Sequence, residues 1–166
     1  MTSDKQDVGA QLSFALYRAA NRMIREHKPF LEPLGVTYPQ YLVILELLNG
    51  SPLAVGVLGS RVDMDTGTIT PLLKRLEAAG LVTRTRDRAD ERYVLVDLTA
   101  RGQSMATDIF GVTDKIKSAC QLNEKDIDEL RHTLDTLTRL LTSPTPSIEH
   151  HPGSEISRSP LIGELP

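Results

Sequence analysis

The sequence predicts a mainly α-helical fold that carries one small β-hairpin. Apolar residues recur at helical spacing in several segments, which is typical of amphipathic helices. Two short runs with strand propensity, LVTRTRD and RYVLVDL, flank a charged turn, which is the pattern of a hairpin. Apolar residues make up 40% of the 166 residues, enough to build the core of a single domain.

Composition limits the classes of protein that this chain can belong to. The formal net charge is −3, and Cys120 is the one cysteine, so an internal disulfide and a cysteine-based zinc site are excluded. No segment approaches the ~18 uninterrupted apolar residues of a membrane-spanning helix. The start, MTSDKQDVGAQ, lacks the apolar region of a signal peptide. We therefore expect a cytoplasmic protein with no membrane partner.

Residues 143–166 differ from the rest of the chain. They contain five prolines and five serines and have no helical period, so we expect a disordered tail. His150 and His151 lie in this tail. We interpret them as a solvated pair rather than as metal ligands, and we predict no metal site and no cofactor.

Three helices are expected before the middle of the chain. The first runs over residues 11–28 and should end at Pro29 and Pro33. The second covers TYPQYLVILELLNG, where Thr37 can cap the helix and Asn49 with the following glycine can end it. A short third helix is expected in AVGVLGSRV.

A fourth helix is expected over residues 67–80, with two chemically distinct faces. At ~100° per residue, the inward face holds Ile69, Leu72, Leu73, Leu76 and Gly80. The outward face holds Thr68, Thr70, Pro71, Lys74, Arg75 and Ala78. Hydroxyls and cations on one face suit a DNA groove, although an ordinary solvated face has the same composition. The pattern leaves open whether this helix begins near residue 66 or at Pro71.

The hairpin adds to a local concentration of positive charge. Six cations fall within nineteen residues of this slightly acidic chain: Lys74, Arg75, Arg84, Arg86, Arg88 and Arg92. Asp87, Asp90 and Glu91 would also allow a plain solvated hairpin. The order of helix, helix and cationic hairpin, however, is that of a winged helix-turn-helix, in which one helix enters the major groove and the hairpin tip probes the minor groove.

The stretch DTGTITPLLKRLEAAGLVTRTRDRADERYVLVDLTARG resembles the recognition helix and wing of MarR-type regulators. The resemblance implies that the recognition helix begins near Thr66, that Thr68, Thr70 and Lys74 face the groove, and that Arg92, steadied by Asp90, reaches the minor groove. Narrow A·T-rich minor grooves attract arginine independently of any family. The expected contacts to double-stranded DNA are Thr66, Thr68, Thr70, Lys74, Arg75, Arg84, Arg86, Arg88, Asp90 and Arg92.

The two last helices predict a homodimer. One should begin at a Thr99 cap and run to about residue 119, and the other should start at Asn123. In the latter, Ile127, Leu130, Leu134, Leu137 and Leu141 repeat like a coiled-coil seam. Packing within one chain would give the same pattern, but in MarR-type proteins the terminal helices form the dimer interface.

The resemblance therefore implies a winged-helix domain over residues 1–142. Its DNA-binding part would be about 53–98, and its dimerisation helices would be about 8–29 and 99–142. Such a dimer would read a palindromic operator.

A second stretch, QLSFALYRAANRMIREHKPFLEPLGVTYPQYL, is similar to the organic-hydroperoxide regulators of this family, often called OhrR. In that branch a sensing cysteine occupies the position of Ser13, and Tyr17 and Tyr38 match two tyrosines that hydrogen-bond it. His27 takes the position of a third tyrosine. Cys120 lies in the helix where some members carry a second, resolving cysteine. We expect these five residues to form a redox-sensing pocket, with Ser13, Tyr17 and His27 on one helical stripe.

Serine at position 13 is incompatible with thiol-based sensing. Peroxide attack requires a thiolate, and the sulfenic acid that forms condenses with another thiol. Either a cysteine was changed to serine to hold the reduced form, or this homologue lost its thiol naturally. The cysteine at 120 favours the first explanation, although a lone buried cysteine is also common as a small apolar residue.

The sequence thus predicts a repressor of the hydroperoxide response, with a repressor released by a small aromatic ligand as the alternative. A peroxidase would need a reactive thiol in a catalytic cycle, and we find no catalytic motif in the sequence. A winged helix that serves only protein contacts would show no salt-dependent DNA binding.

Overall fold

The computed structural model describes residues 11–120 and 123–142. The predicted tail over 143–166, with His150 and His151, lies outside the described residues. The chain divides after Asn123 into two compact units. The helices are α1 (Leu12–Leu31), α2 (Tyr38–Asn49), α3 (Val55–Arg61), α4 (Thr66–Ala78), α5 (Ala100–Ser104), α6 (Ala106–Cys120) and α7 (Glu124–Thr142), with a 3₁₀ turn at Glu32–Leu34. The strands are β1 (Leu53–Ala54), β2 (Val82–Arg86) and β3 (Val94–Leu98).

The hairpin belongs to a three-stranded antiparallel sheet with the order β1-β3-β2. The predicted hairpin is confirmed, and Arg84 pairs with Val96 in its register. The third strand was not expected: Leu53 pairs with the same Val96 from the other side of β3. A two-residue strand is too short to give a period-2 pattern, so no signal in the sequence marked it.

One expected helix end was wrong, and one expected helix is divided into two. The first helix passes through Pro29 and ends at Leu31, because a proline so close to the end removes only one hydrogen bond, while Leu31 is buried. The helix expected over residues 99–119 is two helices. Thr99 caps α5 as predicted, since the Gly102 N–H donates to its Oγ1 at 3.0 Å. α5 ends at Ser104, where the Met105 N–H bonds to the Gly102 carbonyl, three residues back, at 3.2 Å.

Helix α4 buries the face that its pattern predicts. Ile69, Leu72, Leu73 and Leu76 all lie in the core. Gly80, expected on the same face, instead follows the helix with φ of 71°. Its N–H bonds to the Glu77 carbonyl at 2.9 Å, and the next N–H, of Leu81, bonds to the Leu76 carbonyl at 3.0 Å. These two bonds are a Schellman motif, which ends α4 sharply and turns the chain into β2.

Gly102 allows α5 to pack closely against the base of the wing. A Cβ atom at this position would overlap the Leu81 carbonyl and approach Leu98 Cδ2 to 2.9 Å. We expect Gly102→Ala to lower the free energy of unfolding by about 2 kcal/mol, because backbone atoms must move to admit the methyl group. Gly111→Ala is the matched control: no atom lies within 4 Å of its added Cβ, so it should be neutral or stabilising. Chemical denaturation measures both, and equal stabilities would contradict this packing.

Helix α7, taken by itself, carries the predicted apolar seam. Leu130, Leu134 and Leu141 are exposed, and Ile127 and Leu137 are half-buried. In the part of the chain that the structure describes, no helix combines the length and hydropathy needed to cross a membrane.

Candidate nucleic-acid interface

Helix α4, the expected recognition helix, begins at Thr66, which decides between the two starts that the sequence left open. Asp65 precedes the helix, and its Oδ1 accepts the Thr68 backbone N–H at 2.7 Å. This hydrogen bond lowers the pKa of the Asp65 carboxyl below its ordinary value. Pro71 therefore lies inside α4, where it leaves one carbonyl of the first turn without its helical partner. Asp65 was a readable cap signal, since aspartate often precedes a first turn.

The outward face of α4 presents the predicted polar side chains to solvent. Thr66, Thr68, Lys74 and Arg75 are exposed, and Thr70 is half-buried. Because the opposite face is fixed in the core, these five side chains are held on a rigid support. The arrangement offers hydroxyl and cationic groups of the kind that contact bases and phosphates in a groove.

At the tip of the wing, Arg92 and Asp90 form a bidentate pair. Arg92 Nε lies 2.9 Å from Asp90 Oδ1, and Arg92 Nη2 lies 2.7 Å from Asp90 Oδ2. The arginine lowers the pKa of the Asp90 carboxyl, and the carboxylate raises the pKa of the Arg92 guanidinium. The Arg92 side chain is nevertheless 85% exposed. The pair thus orients a cation that still faces outward.

The other three arginines of the wing differ in their surroundings. Arg84 is half-buried and contacts Glu77 of α4, with Nη2 at 2.8 Å from the carboxylate. Arg86 is exposed, and its Nη1 donates to the Glu91 carbonyl at 3.0 Å. Arg88 is exposed in the turn between the strands. Position alone had grouped all three with Arg92, and no local pattern marked Glu77 as a partner.

Helix α4, the wing and the start of α3 line an open cleft of about 280 Å³. It brings together four of the predicted residues, namely Thr66, Thr70, Arg84 and Arg92. Thr68, Lys74, Arg75, Arg86, Arg88 and Asp90 are not among its lining residues. Tyr93 also lines the cleft and is 54% exposed. Tyr93 was not among the expected DNA contacts, although a tyrosine beside Arg92 was visible in the strand pattern.

The five residues of the predicted redox pocket do not form one pocket within a single chain. Ser13 and Tyr17 are exposed near the start of α1, whereas His27 is buried near its end. At ~1.5 Å per helical residue, Ser13 and His27 lie ~21 Å apart along the axis. The expected stripe therefore spans most of the helix, and only its last member reaches the core.

His27 and Tyr38 do meet. Their rings make an edge contact with centroids 4.8 Å apart, and Tyr41 lies 6.0 Å from the same imidazole. His27 Nδ1 lies 2.7 Å from the Met23 carbonyl and donates to it, because a carbonyl oxygen can only accept. Burial, and secondly the neighbouring Tyr41, raises the pKa of the Tyr38 hydroxyl.

A separate cavity of about 320 Å³ lies where α1 meets α2. Its lining is largely apolar and includes Ile24, Leu31 and Val36, with Arg25 and Tyr38 among its polar side chains. Cys120 is half-buried at the end of α6 and packs against the core. Within residues 11–120 and 123–142, no three His, Cys, Asp or Glu residues are grouped as a metal site would require.

Comparison with known sequences decides the family. Residues 34–92 match the MarR family. The organic hydroperoxide resistance transcriptional regulator of Bacillus subtilis is 37% identical over 138 residues, which are 83% of this chain and 94% of that protein. This chain belongs to the MarR family. A second member, the transcriptional regulator TtmR of Methylorubrum extorquens, is 41% identical over 82% of this chain and 69% of its own length.

Solved structures agree with the MarR assignment. Reduced AbfR bound to DNA superimposes with a TM-score of 0.67 at 31% identity, over 80% of this chain and 93% of that chain. AbfR comes from Staphylococcus epidermidis and is also known overoxidised on DNA and in a disulfide form. Like these relatives, this MarR protein is a DNA-binding transcriptional regulator and not an enzyme. Its winged-helix fold, mainly helical with a small sheet, was predicted correctly.

Proposed function

We propose that this MarR-family protein is a repressor of an organic hydroperoxide response that binds a palindromic operator as a homodimer. The observation that carries the proposal is the match of most of the chain to a relative with that printed function. The segment around Ser13 also resembles the sensing helix of hydroperoxide regulators. With serine there, the chain is held in the state that binds DNA.

The DNA contacts follow from the two faces of α4 and the Arg92 pair. Helix α4 enters the major groove with Thr68, Thr70 and Lys74 toward the bases, while Arg92 enters the adjacent minor groove. The backbone strand between the two grooves then crosses the cleft beside α4. Arg75, Arg86 and Arg88 supply phosphate contacts, which offset the acidic total because local charge decides phosphate attraction.

Exposed apolar residues on the two terminal helices support a dimer. Leu12, Tyr17 and Met23 are exposed on α1, as are Leu130, Leu134 and Leu141 of the α7 seam. Exposed apolar groups of this kind are covered in MarR-type dimers, where the terminal helices pair. Because Ser13 and His27 are far apart on one helix, a pocket that contains both draws residues from two copies of the chain.

The sensing chemistry requires a thiol at position 13. A thiolate there attacks the outer oxygen of a hydroperoxide, and the O–O bond breaks to give a sulfenic acid and an alcohol. The sulfenic acid then condenses with a second thiol, for which Cys120 is the candidate, to give a disulfide and water. A serine hydroxyl stays protonated and cannot begin this sequence.

The test compares the chain with its Ser13→Cys variant in gel shifts with the DNA upstream of its own gene. We expect both to bind when reduced, and only Ser13→Cys to lose at least about tenfold in affinity in excess cumene hydroperoxide, a coupling of ordinary size. Ser13→Ala is the matched control without a thiol, and Ser13→Cys with Cys120→Ser tests the resolving role. Full affinity of Ser13→Cys under peroxide, with its thiol titre unchanged, would contradict the redox proposal.

A second candidate function is release by a small aromatic ligand, and the 320 Å³ cavity favours it. Apolar walls with Arg25 and Tyr38 as polar groups suit an aromatic acid or phenol. Salicylate as a probe should then weaken operator binding by the chain as it stands, without any change at position 13. Unchanged binding at millimolar salicylate would argue against this candidate and leave the redox function in place.

A further inference from the structure

An ion pair connects the recognition helix to the wing. Glu77 is in the last turn of α4, and Arg84 is at the centre of β2. One carboxylate oxygen of Glu77 accepts from Arg84 Nε at 2.9 Å and lies 2.8 Å from Nη2. The side chains are only 24% and 39% exposed, for Arg84 and Glu77 respectively. Both donors of one guanidinium edge are therefore engaged within the chain.

We propose that Glu77 and Arg84 form a brace that sets the angle between the recognition helix and the wing. In this role Arg84 is a positioning residue rather than a phosphate contact, and it acts on DNA through Arg92. The inference rests on the proposed docking of α4 in the major groove and of Arg92 in the minor groove. It revises the role of Arg84, which its place in the charged hairpin had grouped with the expected DNA contacts.

The surroundings of the pair make it suited to hold an angle. Backbone pairing with Val96 fixes Arg84 in the strand register, and the core fixes α4, so each end of the ion pair lies on a rigid element. Between them the chain runs through the tight turn at Gly80. A partly buried, two-donor pair is held more firmly than an exposed one.

Charge in the cleft supports the same division of roles. Arg84 and Arg92 both line the cleft beside α4, and two guanidinium groups there would repel each other. Glu77 compensates the charge of Arg84 and Asp90 compensates that of Arg92, but only Arg92 is largely exposed, at 85%. Arg92 is thus the arginine presented to DNA. Arg84 instead connects β2 to α4 through Glu77.

The two roles for Arg84 predict opposite effects of removing the Glu77 charge. If Arg84 positions the wing, Glu77→Gln loosens the angle and the contribution of Arg92 falls. If Arg84 instead contacts phosphate, Glu77→Gln frees a cation, so operator affinity rises and the salt dependence steepens. A phosphate contact contributes about one unit to the slope of log affinity against log salt concentration.

The experiment is a double-mutant cycle by fluorescence anisotropy on the operator, at several salt concentrations, with full-length chains. In the unaltered chain, Arg92→Gln should lower operator affinity about 100-fold, as expected for two lost arginine contacts. In the Glu77→Gln background the same substitution should lower operator affinity less than about tenfold, because coupled contacts are non-additive. Glu77→Gln alone should weaken binding without changing the salt slope. When Glu77→Arg and Arg84→Glu are combined, the ion pair is reversed but kept, so Arg92→Gln should again lower operator affinity about 100-fold.

The matched control is Glu46→Gln, which removes the ion pair between Glu46 and Arg61, 2.8 Å apart, that joins α2 to α3. In that background the cost of Arg92→Gln should be unchanged, and thermal melting of every variant checks folding. The brace would be overturned if Arg92→Gln lowered operator affinity equally with and without Glu77. It would also be overturned if Glu77→Gln bound the operator more tightly and with a steeper salt dependence. If Arg92→Gln has no effect in the unaltered chain, the proposed docking fails and the brace fails with it.

Discussion

Replacing Arg92 with glutamine should lower the affinity of the proposed dimer for operator DNA about 100-fold. An arginine contact that reads DNA contributes ~1–3 kcal/mol, and a two-fold dimer loses two such contacts. Geometry strengthens the expectation, because the bidentate pair with Asp90 orients the guanidinium while leaving it 85% exposed. A side chain already oriented in the free protein loses less conformational entropy when it binds. Anisotropy titration of the operator at fixed salt concentration measures the change.

Lys125→Gln is the control for net charge in that experiment. It makes the same change in total charge on α7, where Lys125 lies 3.8 Å from Glu129 and has no proposed DNA contact. Its affinity should stay within a few-fold of the unaltered chain, because an exposed charge away from the contacts is largely screened. Equal losses for the two variants would mean that overall charge, and not the wing tip, determines binding.

Leu73→Ala should remove about 3 kcal/mol from the free energy of unfolding, the largest stability effect that we expect. Leu73 is 0% exposed on the inward face of α4, and truncating a leucine in such a site leaves a cavity that the core cannot fully close. Chemical denaturation of the purified chain measures the loss. Operator binding at a temperature where the variant is still folded should be affected much less.

Lys74→Ala is the matched variant for Leu73→Ala, and we expect it to lower operator affinity rather than stability. Lys74 is exposed on the other face of the same helix, so Lys74→Ala should leave stability nearly unchanged. Its operator affinity should fall at least about tenfold, since each protomer loses one contact. If Lys74→Ala unfolds the chain, or Leu73→Ala leaves it fully stable, the assignment of the two faces of α4 is wrong.

Local patterns were sufficient to predict the parts of the fold that local forces determine. The apolar inward residues of α4 follow from helical periodicity. Thr37 is the N-cap residue of α2, and Gln40 Oε1 accepts its backbone N–H at 2.9 Å. The same holds for Thr99 at the start of α5. Periodicity and capping depend on residues within one turn of each other, so a single sequence contains the information.

Contacts between distant segments explain what the sequence did not predict. Strand β1 exists because Leu53 meets Val96, and the brace exists because the Schellman turn brings Glu77 next to Arg84. Pairings of this kind leave no period in the sequence. Ser13 and His27 do not meet within one chain for a related reason: a shared helical stripe fixes direction around the axis but not closeness along it.

The most direct test of the central claim is a hydroxyl-radical footprint of the operator with the unaltered chain and with Arg92→Gln. Two recognition helices that bind successive major grooves on one face of the duplex predict two symmetric protected regions, centred about one DNA turn or ~34 Å apart. The adjoining minor grooves should also be protected by the unaltered chain but not by Arg92→Gln. Protection of a single half-site, or minor-groove protection that persists without Arg92, would contradict a dimer that reads DNA with α4 and the wing.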